Sequence, residues 1–386
     1  MLSFLRLDHP GWLDDAVGAM RPAAQLTPAA LEICVVGAGN LGQAQAGHLA
    51  SLGHSVRLYN RSRERIASLA ATSTVRLAGA ISGEPKLSSV GTDLAAAIAG
   101  ARIVFVDVPA TGHAELARAL APLLAGRKEP PLLVLHPGQT FGARHFAQAL
   151  RRDGLAAPPP ICELQTALYT SRLGSKGEAA VLALKRRVGV AVYPQGRAEA
   201  ADLVKGLYPQ LIQAPSTLHT GLTNLQGIIH PAVCLFNLAR IERGERFHLY
   251  REGLSRALGA FIDAADRERL AICEAVGVKV PTAAQWFALS YGVRGPSTLE
   301  AMQQVAAYDG LEAPPNLSTR LLWEDVPTGL SPLLSLAEQL RVTVPNLEAL
   351  AQLARTVCGP ELDREGWTLE RLGLGGKSAA EIRKAF

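Results

Sequence analysis

The chain has 386 residues, of which 48% are hydrophobic, and carries a formal charge of +5. This composition supports a large buried core and two domains rather than one, and it excludes a disordered chain. No run of five or six like charges indicates a nucleic-acid-binding arm, and no uncharged stretch of about 18 apolar residues indicates a transmembrane span.

Residues 1–30 form a poorly patterned extension to which we assign no function. Acidic residues in it, such as Asp14 and Asp15, are wrong for a signal peptide. The cysteines form no CxxC pair and mostly lie among apolar neighbours, so we expect reduced thiols in a cytoplasmic protein. These cysteines are Cys34, Cys162, Cys234, Cys273 and Cys358.

A strand, a glycine-rich turn and a helix follow one another from Leu31 onward. The apolar run 32–36 predicts a strand, which leads directly into the turn 37–42. A helical pattern then extends through Leu52, and a second strand is expected at 55–59. This order is typical of one βαβ unit.

Strand and helix patterns continue to alternate up to about residue 213. Turn residues over 72–92 predict a hairpin-like insertion, and Ser62 and Thr111 are expected to cap helices. The other predicted elements are a helix at 93–99, a strand at 103–108, a helix ending near Leu124, and strands at 132–136, 161–165 and roughly 180–192. The alternation predicts an α/β class with an N-terminal Rossmann-type, doubly wound sheet.

Helical patterns dominate after about Pro215. Two capping boxes and one Ser-Pro cap mark expected helix starts, because each satisfies otherwise orphan N–H groups. They are Thr282 with Gln285, Ser378 with Glu381, and Ser331 with Pro332. We therefore place the dinucleotide-binding Rossmann domain at 31–213 and a mostly α-helical substrate domain at 214–386.

The turn after the first strand has the spacing GxGxxG. Gly37 permits the tight turn, Gly39 lets a pyrophosphate approach the backbone, and Gly42 lets the helix pack closely. The helix N-terminus offers free N–H groups and a partial positive charge to the diphosphate. An ordinary βα turn is the alternative, but the strand before and the helix after favour a dinucleotide site. Its predicted contacts are Gly37, Gly39, Asn40, Leu41, Gly42 and, after the strand at 103–108, Pro109.

The end of the second strand bears on the choice of cofactor. NAD-binding chains usually carry Asp or Glu there to hold the ribose 2′-hydroxyl, whereas this chain has Asn60, Arg61 and Ser62. Arg61 can face a 2′-phosphate and Ser62 can donate a hydrogen bond to it. We therefore expect NADP(H) to be preferred, with NAD(H) left open. The alternative is that Arg61 is a solvated surface charge.

Two segments of the helical half carry candidate chemistry. His230 lies in an apolar helical stretch directly before Pro231, which predicts a kink and an inward-pointing acid/base. On its own this pattern favours a core histidine with a satisfied ring. The segment 320–329, with an Arg, a Trp and two acids before a Pro-Thr-Gly turn, is on its own typical of a solvated turn with a local ion pair.

Together these segments resemble the opine dehydrogenases, the octopine/nopaline dehydrogenase group. The resemblance covers about 31–386, and its HPA and EDVPTG segments are not shared by Rossmann proteins in general. It is carried by the glycine turn 37–42, by Asn224 with His230-Pro231-Ala232, by Glu324-Asp325-Val326-Pro327-Thr328-Gly329, and by the tail 366–374.

The resemblance implies an activity. Enzymes of this group condense the amine of an L-amino acid with a 2-oxo acid such as pyruvate, and NAD(P)H reduces the imine to an opine. By the same resemblance His230 is the acid/base, Asp325 is the carboxylate paired with it, and Arg320 binds a substrate carboxylate. The resemblance implies that Gln139 and Thr166 line the amino-acid pocket, and Asn224 is a further expected substrate-binding residue.

Two other functions stay open. A hydroxy-acid or ketoacid reductase on the same two-domain plan would oxidise cofactor without an amine partner. A non-catalytic dinucleotide sensor would keep the glycine turn but have no need for His230, Asp325 and Arg320 to converge. The expected partners are an amino acid and a 2-oxo acid, with no nucleic acid, membrane or metal cluster, and the helical domain could form a homodimer.

Overall fold

The computed structural model describes residues 30–174, 177–197 and 199–386. The described chain divides into two compact units. The sheet unit comprises 30–138 and 142–213, and the helical unit comprises 139–141 and 214–386. The extension predicted at 1–30 lies outside the described residues apart from Ala30.

The sheet unit contains eleven strands and six helices within the described residues. The strands are β1 (Glu32–Val36), β2 (Ser55–Tyr59), β3 (Leu77–Gly79), β4 (Ser89–Gly91), β5 (Ile103–Val106), β6 (Leu132–Leu135), β7 (Ile161–Leu164), β8 (Tyr169–Leu173), β9 (Ala179–Leu184), β10 (Val188–Tyr193) and β11 (Leu211–Gln213). The helices are α1 (Asn40–Ser51), α2 (Arg63–Thr72), α3 (Leu94–Ile98), α4 (His113–Leu124), α5 (Gly142–Arg152) and α6 (Ala200–Leu207).

Eight strands form one sheet in the order β11-β10-β7-β6-β5-β1-β2-β4. Every neighbouring pair is parallel except β7 and β10. Val36 at the end of β1 is level with Tyr59 and with Val106, which in turn is level with Leu135. The segments that follow these four strands therefore leave the same edge of the sheet, where ligands bind in doubly wound folds. The predicted α/β class is confirmed.

Alternate residues of the central strands face two separate apolar cores. Ile33 and Val35 of β1 belong to one core cluster, whereas Cys34 and Val36 belong to the other. Helices α1, α2 and α6 cover the first face, and α3, α4 and α5 cover the second. Each buried aliphatic side chain contributes roughly 1.5–3 kcal/mol, so burial on both faces makes the edge of the sheet a rigid support.

The strands of the sheet unit agree with the predictions in part. The insertion 72–92 is hairpin-like as predicted, with antiparallel bridges between Thr74 and Lys86 and between Leu77 and Gly83. Its two strands also pair elsewhere, because β4 joins the large sheet beside β2 and β3 pairs with β9 in a separate sheet of order β3-β9-β8. The single element expected at 180–192 is two strands, since the charged residues 185–187 interrupt the apolar run. The strand β8 was not predicted, and β10 turns back antiparallel to β7.

The structure confirms one of the three single-residue caps. Ser62 accepts a hydrogen bond from the Arg65 N–H at 3.3 Å and caps α2. Thr111 instead lies inside a 3-10 turn, Ala110–Gly112, that precedes α4. Ser331 follows a helical turn without a break. Where a preceding turn already provides carbonyl acceptors, a side-chain cap is not needed.

The helical unit is built on one long helix, α10, of 21 residues. Its helices are α7 (Thr217–Leu222), α8 (Gln226–Phe236), α9 (Leu238–Glu242), α10 (Arg256–Val276), α11 (Ala283–Tyr291), α12 (Thr298–Gln303), α13 (Arg320–Trp323), α14 (Ser331–Leu340), α15 (Pro345–Cys358) and α16 (Ala379–Lys384). Both predicted capping boxes are present, at the starts of α11 and α16. In the described part of the chain, no helix is long and apolar enough to cross a bilayer.

A fully buried guanidinium holds three elements of the helical unit together. Arg269 of α10 donates to Asp266 at 2.8 Å, to the Leu222 carbonyl at 2.7 Å and to the Pro281 carbonyl at 2.7 Å. These bonds fix the end of α7 and the start of α11. Removing one partner of a buried ion pair typically costs about 3–5 kcal/mol, so Arg269 anchors the chain just before the segment that leads into α8.

Candidate active site and dinucleotide site

Three glycines shape the turn between β1 and α1. Gly37 has φ +116°, and a Cβ there would lie 2.6 Å from the Asp107 carbonyl oxygen. A Cβ on Gly42 would lie 1.8 Å from the Gly37 carbonyl oxygen. A Cβ on Gly39, by contrast, would meet no described atom within 4 Å. Two of the glycines therefore close the turn, and the third leaves open space beside the backbone.

The N-terminus of α1 begins directly at this open space. Gly39 is its N-cap, and no described side chain satisfies the first N–H groups. Asn40 uses its side-chain oxygen to accept from the Leu173 N–H at 3.1 Å, which ties the turn to β8. Leu41 packs against the apolar core. The backbone of 39–42 thus presents donors to an anion, while the side chains of Asn40 and Leu41 hold the turn in place.

The residues after β2 are engaged with one another and with the turn. The Asn60 side chain accepts from the Ala38 N–H at 3.2 Å and donates to the Ser62 carbonyl at 3.0 Å. The Ser62 hydroxyl, besides capping α2, donates to Glu64 at 2.9 Å. Arg61 is 76% exposed and forms an ion pair of 2.7 Å with Glu115. Arg61 is thus the cation directly at this strand end, and an acid from α4 already contacts it.

A buried acid–histidine pair lies below the turn, and the sequence interpretation missed it. Asp107 follows β5 and His136 follows β6, with 3.0 Å between Asp107 Oδ1 and His136 Nδ1. His136 Nε2 accepts from the Leu168 N–H at 2.8 Å, so its proton resides on Nδ1. Burial raises the pKa of Asp107, and His136 opposes the shift. The signal was available, since each is a polar residue ending an apolar strand.

The two remaining predicted contacts of the sheet unit lie in segments after strands. Pro109 is exposed and opens the 3-10 turn after β5. Thr166 is buried in the segment after β7. Its neighbour Gln165 accepts from the Gly189 N–H at 2.9 Å, which fastens that segment to β10. Thr166 therefore belongs to the sheet unit, whereas the other five predicted catalytic and substrate residues belong to the helical unit.

His230 and Asp325 form a hydrogen-bonded pair in the helical unit. His230 Nδ1 lies 2.7 Å from Asp325 Oδ2, and the side chains are 14% and 1% exposed. His230 lies within α8, which continues as a helix through Pro231. The Tyr250 ring lies against the imidazole, with 6.3 Å between ring centroids and 30° between planes. The histidine is thus held by a carboxylate on one nitrogen and packed by an aromatic ring.

A second carboxylate lies beside Asp325. Glu324 is buried and accepts from Arg320 Nη1 at 3.2 Å. The Gln139 side-chain amide donates to Glu324 Oε1 and to Asp325 Oδ1, each at 3.2 Å. Gln139 has φ +59°, an unusual conformation for a residue with a side chain. Gln139 therefore bridges the two neighbouring acids, and Arg320 is tethered to the same cluster.

Asn224 connects the start of α8 to this cluster. Its side-chain nitrogen donates to Gln139 Oε1 at 2.9 Å and to Thr140 Oγ1 at 3.2 Å. Its side-chain oxygen accepts from the Gln226 N–H at 3.0 Å. The residue is 3% exposed. The structure thus brings Gln139, Asn224, His230, Arg320 and Asp325 into one network.

Two glycines let α8 approach the acidic segment closely. After α13, residues Val326–Leu330 form a π-helical turn. A Cβ on Gly227 of α8 would lie 2.6 Å from the Gly329 carbonyl carbon, and a Cβ on Gly329 would lie 2.8 Å from the Gly227 Cα. The backbones are therefore in contact, and this places His230, one turn along α8, against Asp325. The sequence pointed to Gly329 only as part of the EDVPTG segment, and its contact with Gly227 was not predicted.

Comparison with known proteins identifies the family. The helical-domain model of NAD/NADP octopine/nopaline dehydrogenase matches residues 213–358, and the N-terminal model of NAD-dependent glycerol-3-phosphate dehydrogenase matches residues 32–150. An opine dehydrogenase of Arthrobacter sp. (strain 1C) is 35% identical over 353 residues, which is 91% of this chain and 97% of the relative. The chain belongs to the opine dehydrogenase family. It is an NAD(P)-dependent oxidoreductase of the type that acts on CH–NH bonds.

Further relatives are consistent with this membership. The protein ocs of Agrobacterium vitis is 29% identical over 365 residues, covering 92% of this chain and 99% of the relative. A structure of octopine dehydrogenase with NADH and L-arginine covers 92% of this chain and 98% of its own at 21% identity, with a TM-score of 0.73. NADP⁺-bound yersinopine dehydrogenase covers the same shares at 16% identity, with a TM-score of 0.65. The two solved structures share the fold.

Proposed function

We propose that this opine dehydrogenase condenses an L-amino acid with a 2-oxo acid and reduces the resulting imine, with His230 as acid/base and Asp325 as its partner. The observation that carries the assignment is the 2.7 Å contact between His230 Nδ1 and the buried Asp325 carboxylate. A carboxylate on one imidazole nitrogen fixes the tautomer and stabilises the protonated ring. The other nitrogen, Nε2, is then the atom that exchanges protons with substrate.

The proton balance of the condensation requires one group that acts first as base and then as acid. The substrate enters as an ammonium ion, and His230 Nε2 removes one proton so that the amine can add to the 2-oxo carbon. A second nitrogen-bound proton moves to the former carbonyl oxygen, which gives a carbinolamine. His230 then returns its proton to that hydroxyl, which leaves as water. An iminium ion remains and carries one hydrogen on nitrogen.

Arg320 is the residue we assign to a substrate carboxylate. Its side chain is 57% exposed while Nη1 is held 3.2 Å from Glu324. A guanidinium presents five N–H donors in a planar fork, so a contact at one nitrogen leaves donors for a carboxylate. Fixing the 2-oxo acid through its carboxylate would orient the adjacent carbonyl carbon for addition. Thr166 remains a candidate for a contact to the amino acid, whereas the Gln139 side chain is bonded to Asn224, Glu324 and Asp325.

The glycine turn of the sheet unit fits a dinucleotide, because the space beside Gly39 is open and the first N–H groups of α1 border that space. When bound, the reduced nicotinamide supplies the hydride that converts the iminium carbon to the secondary amine. We assign NADP(H) as the preferred form, since 60–62 contain no acid and Arg61 is exposed at that strand end. In Arg61→Ala, affinity for NADPH should fall while affinity for NADH stays. An equal change for both would overturn the preference.

The test of the reaction is NADPH oxidation with pyruvate, with and without a panel of L-amino acids that includes arginine. We expect oxidation that requires the amine, that collapses in His230→Ala, and that survives in His219→Gln, a half-buried histidine on α7 used as the matched control. Oxidation by pyruvate alone would indicate a hydroxy-acid reductase. Tight NADPH binding without oxidation by any pair of substrates would indicate a sensor.

Two coarser expectations complete the assignment. We place the enzyme in the cytoplasm, supported by its five free cysteines. We also expect a homodimer formed through apolar faces of helices, which sedimentation velocity would test.

A further inference from the structure

We propose that Asn224 is a positioning residue rather than a contact to the amino acid. It sets the direction of every hydrogen bond between the start of α8 and the His230–Asp325 pair. This inference rests on the proposed roles of His230 and Asp325. It reassigns a residue that was expected from the sequence to bind substrate. The basis is the order in which donors and acceptors follow one another through four side chains.

The backbone fixes the direction of this series of hydrogen bonds at its first side chain, that of Asn224. The Gln226 N–H can only donate, so the Asn224 atom 3.0 Å away must be the amide oxygen. This bond spans two residues and is a local side-chain-to-backbone turn at the start of α8. With its oxygen fixed there, Asn224 must direct its NH₂ group to the opposite side.

The NH₂ group of Asn224 fixes the next amide in turn. It lies 2.9 Å from Gln139 Oε1, and its second contact is the Thr140 hydroxyl at 3.2 Å. Gln139 therefore presents oxygen to Asn224 and nitrogen to the two carboxylates, Glu324 and Asp325, at 3.2 Å each. A reversed Gln139 amide would direct an oxygen at two buried anions.

Asp325 receives a donor on each oxygen because of this order. Oδ1 accepts from Gln139, and Oδ2 lies 2.7 Å from His230 Nδ1. Two donors hold the carboxylate plane in one orientation, which aims Oδ2 at the imidazole. The two NH₂ contacts of Asn224 and its oxygen contact are internal to the protein, and the residue is 3% exposed. These features fit positioning better than recognition of a ligand.

The decisive variant is Asn224→Asp, which has nearly the same shape but places an acceptor where the NH₂ group was. The Gln226 N–H can still donate to one carboxylate oxygen, while the other opposes Gln139 Oε1 and favours reversal of that amide. Hydrogen bonds to charged groups contribute about 1.5–3 kcal/mol, so kcat should fall roughly ten- to a hundredfold. The Kd for NADPH should stay unchanged.

Thr140→Val is the matched control. It removes the other acceptor of the same NH₂ group and leaves the contact to Gln139, so kcat should stay within about threefold of wild type. Asn224→Ala, which removes the donor without adding an acceptor, should lie between the control and Asn224→Asp. A rise in the KM of the amino acid with kcat unchanged would identify Asn224 as a substrate contact and overturn the inference. So would an Asn224→Asp variant as active as wild type.

A spectroscopic measurement separates this inference from the proposed function. A histidine Nδ1 proton held by a buried carboxylate gives a far-downfield proton resonance, and His230 should show one that is absent in His230→Ala. Asn224→Asp should shift or broaden that resonance. The His136–Asp107 pair, which lies in the sheet unit, supplies an internal reference that should not move. An unmoved His230 signal would refute the positioning role even if no catalytic turnover were found.

Discussion

Adding one methyl group to the glycine turn should have different effects at two of its positions. At Gly42 it should lower the stability of the fold, and at Gly39 it should weaken cofactor binding. In Gly42→Ala the new Cβ would lie 1.8 Å from the Gly37 carbonyl oxygen and 3.4 Å from the Asp107 Cβ. A carbon–oxygen contact needs well over 3 Å, so the backbone must move by more than an ångström. Overpacking of this kind costs about 1–3 kcal/mol. At about 2–4 °C per kcal/mol, the melting temperature should fall by roughly 2–12 °C.

Gly39→Ala should instead leave the fold intact and weaken cofactor binding. Its Cβ meets no described atom within 4 Å, and its backbone, at φ −80° and ψ −168°, suits any residue. Replacing glycine at an N-cap costs at most about 1 kcal/mol. The methyl group would occupy the space through which a diphosphate approaches the N–H groups of α1. We expect Kd for NADPH to rise at least about tenfold, equivalent to about 1.4 kcal/mol.

Thermal unfolding with and without NADPH reports both effects in one assay. Wild type should gain about 2.7 kcal/mol of stability when NADPH is present at about a hundred times Kd, and Gly39→Ala should gain about 1.4 kcal/mol or less at the same concentration. Fluorescence titration gives the two dissociation constants directly. If Gly39→Ala bound NADPH as wild type does, or if Gly42→Ala were as stable as wild type, the roles assigned to these glycines would be wrong. Those roles are that Gly42 closes the turn and that Gly39 leaves space for the cofactor.

Three further outcomes can be measured. Glu115→Gln removes the acid that is paired with Arg61 and that would compete with a 2′-phosphate for it. The affinity for NADPH should therefore rise roughly two- to fivefold, while the affinity for NADH should be unchanged or weakened. A fall in the affinity for NADPH would contradict this competition. Burial lowers the pKa of His219 to about 4. The unfolded chain, with a His pKa near 6.5, binds more protons below that pH, so stability should fall from about pH 6.5 to pH 4. Thermal unfolding of His219→Gln should show a shallower fall, and an unchanged slope would assign the loss to other groups. A thiol-reactive disulfide reagent should modify no more than about one thiol of the folded chain, Cys358. Burial raises the pKa of the other four thiols to about 11 or 12, and these are Cys34, Cys162, Cys234 and Cys273. Rapid reaction of all five thiols would refute this burial.

The sequence predicted best those features whose causes lie within a few residues. The turn from β1 into α1, the Ser62 cap and the two capping boxes depend on neighbours along the chain, and the structure contains all of them. The three-stranded sheet was missed because β3 finds its partner, β9, about a hundred residues later. No local pattern of Leu77–Gly79 identifies that partner.

The candidate site divides in the same way. The types of residue needed for acid/base chemistry at His230 and Asp325 could be picked from the sequence through the family resemblance. The roles of Gln139 and Asn224 could not, because amide groups donate and accept alike and only their neighbours in space decide which end faces which. Glu324 was visible as an acid in a turn, but its contacts with Arg320 and Gln139 depend on the folded chain.

The contact between Gly227 and Gly329 means that backbone atoms, rather than the choice of side-chain rotamers, set the spacing of the imidazole and the carboxylate. Variation elsewhere in the helical unit can then change which amino acid is accepted without altering that spacing. Redesign of the substrate range should accordingly keep glycine at these two positions and vary other residues of the helical unit.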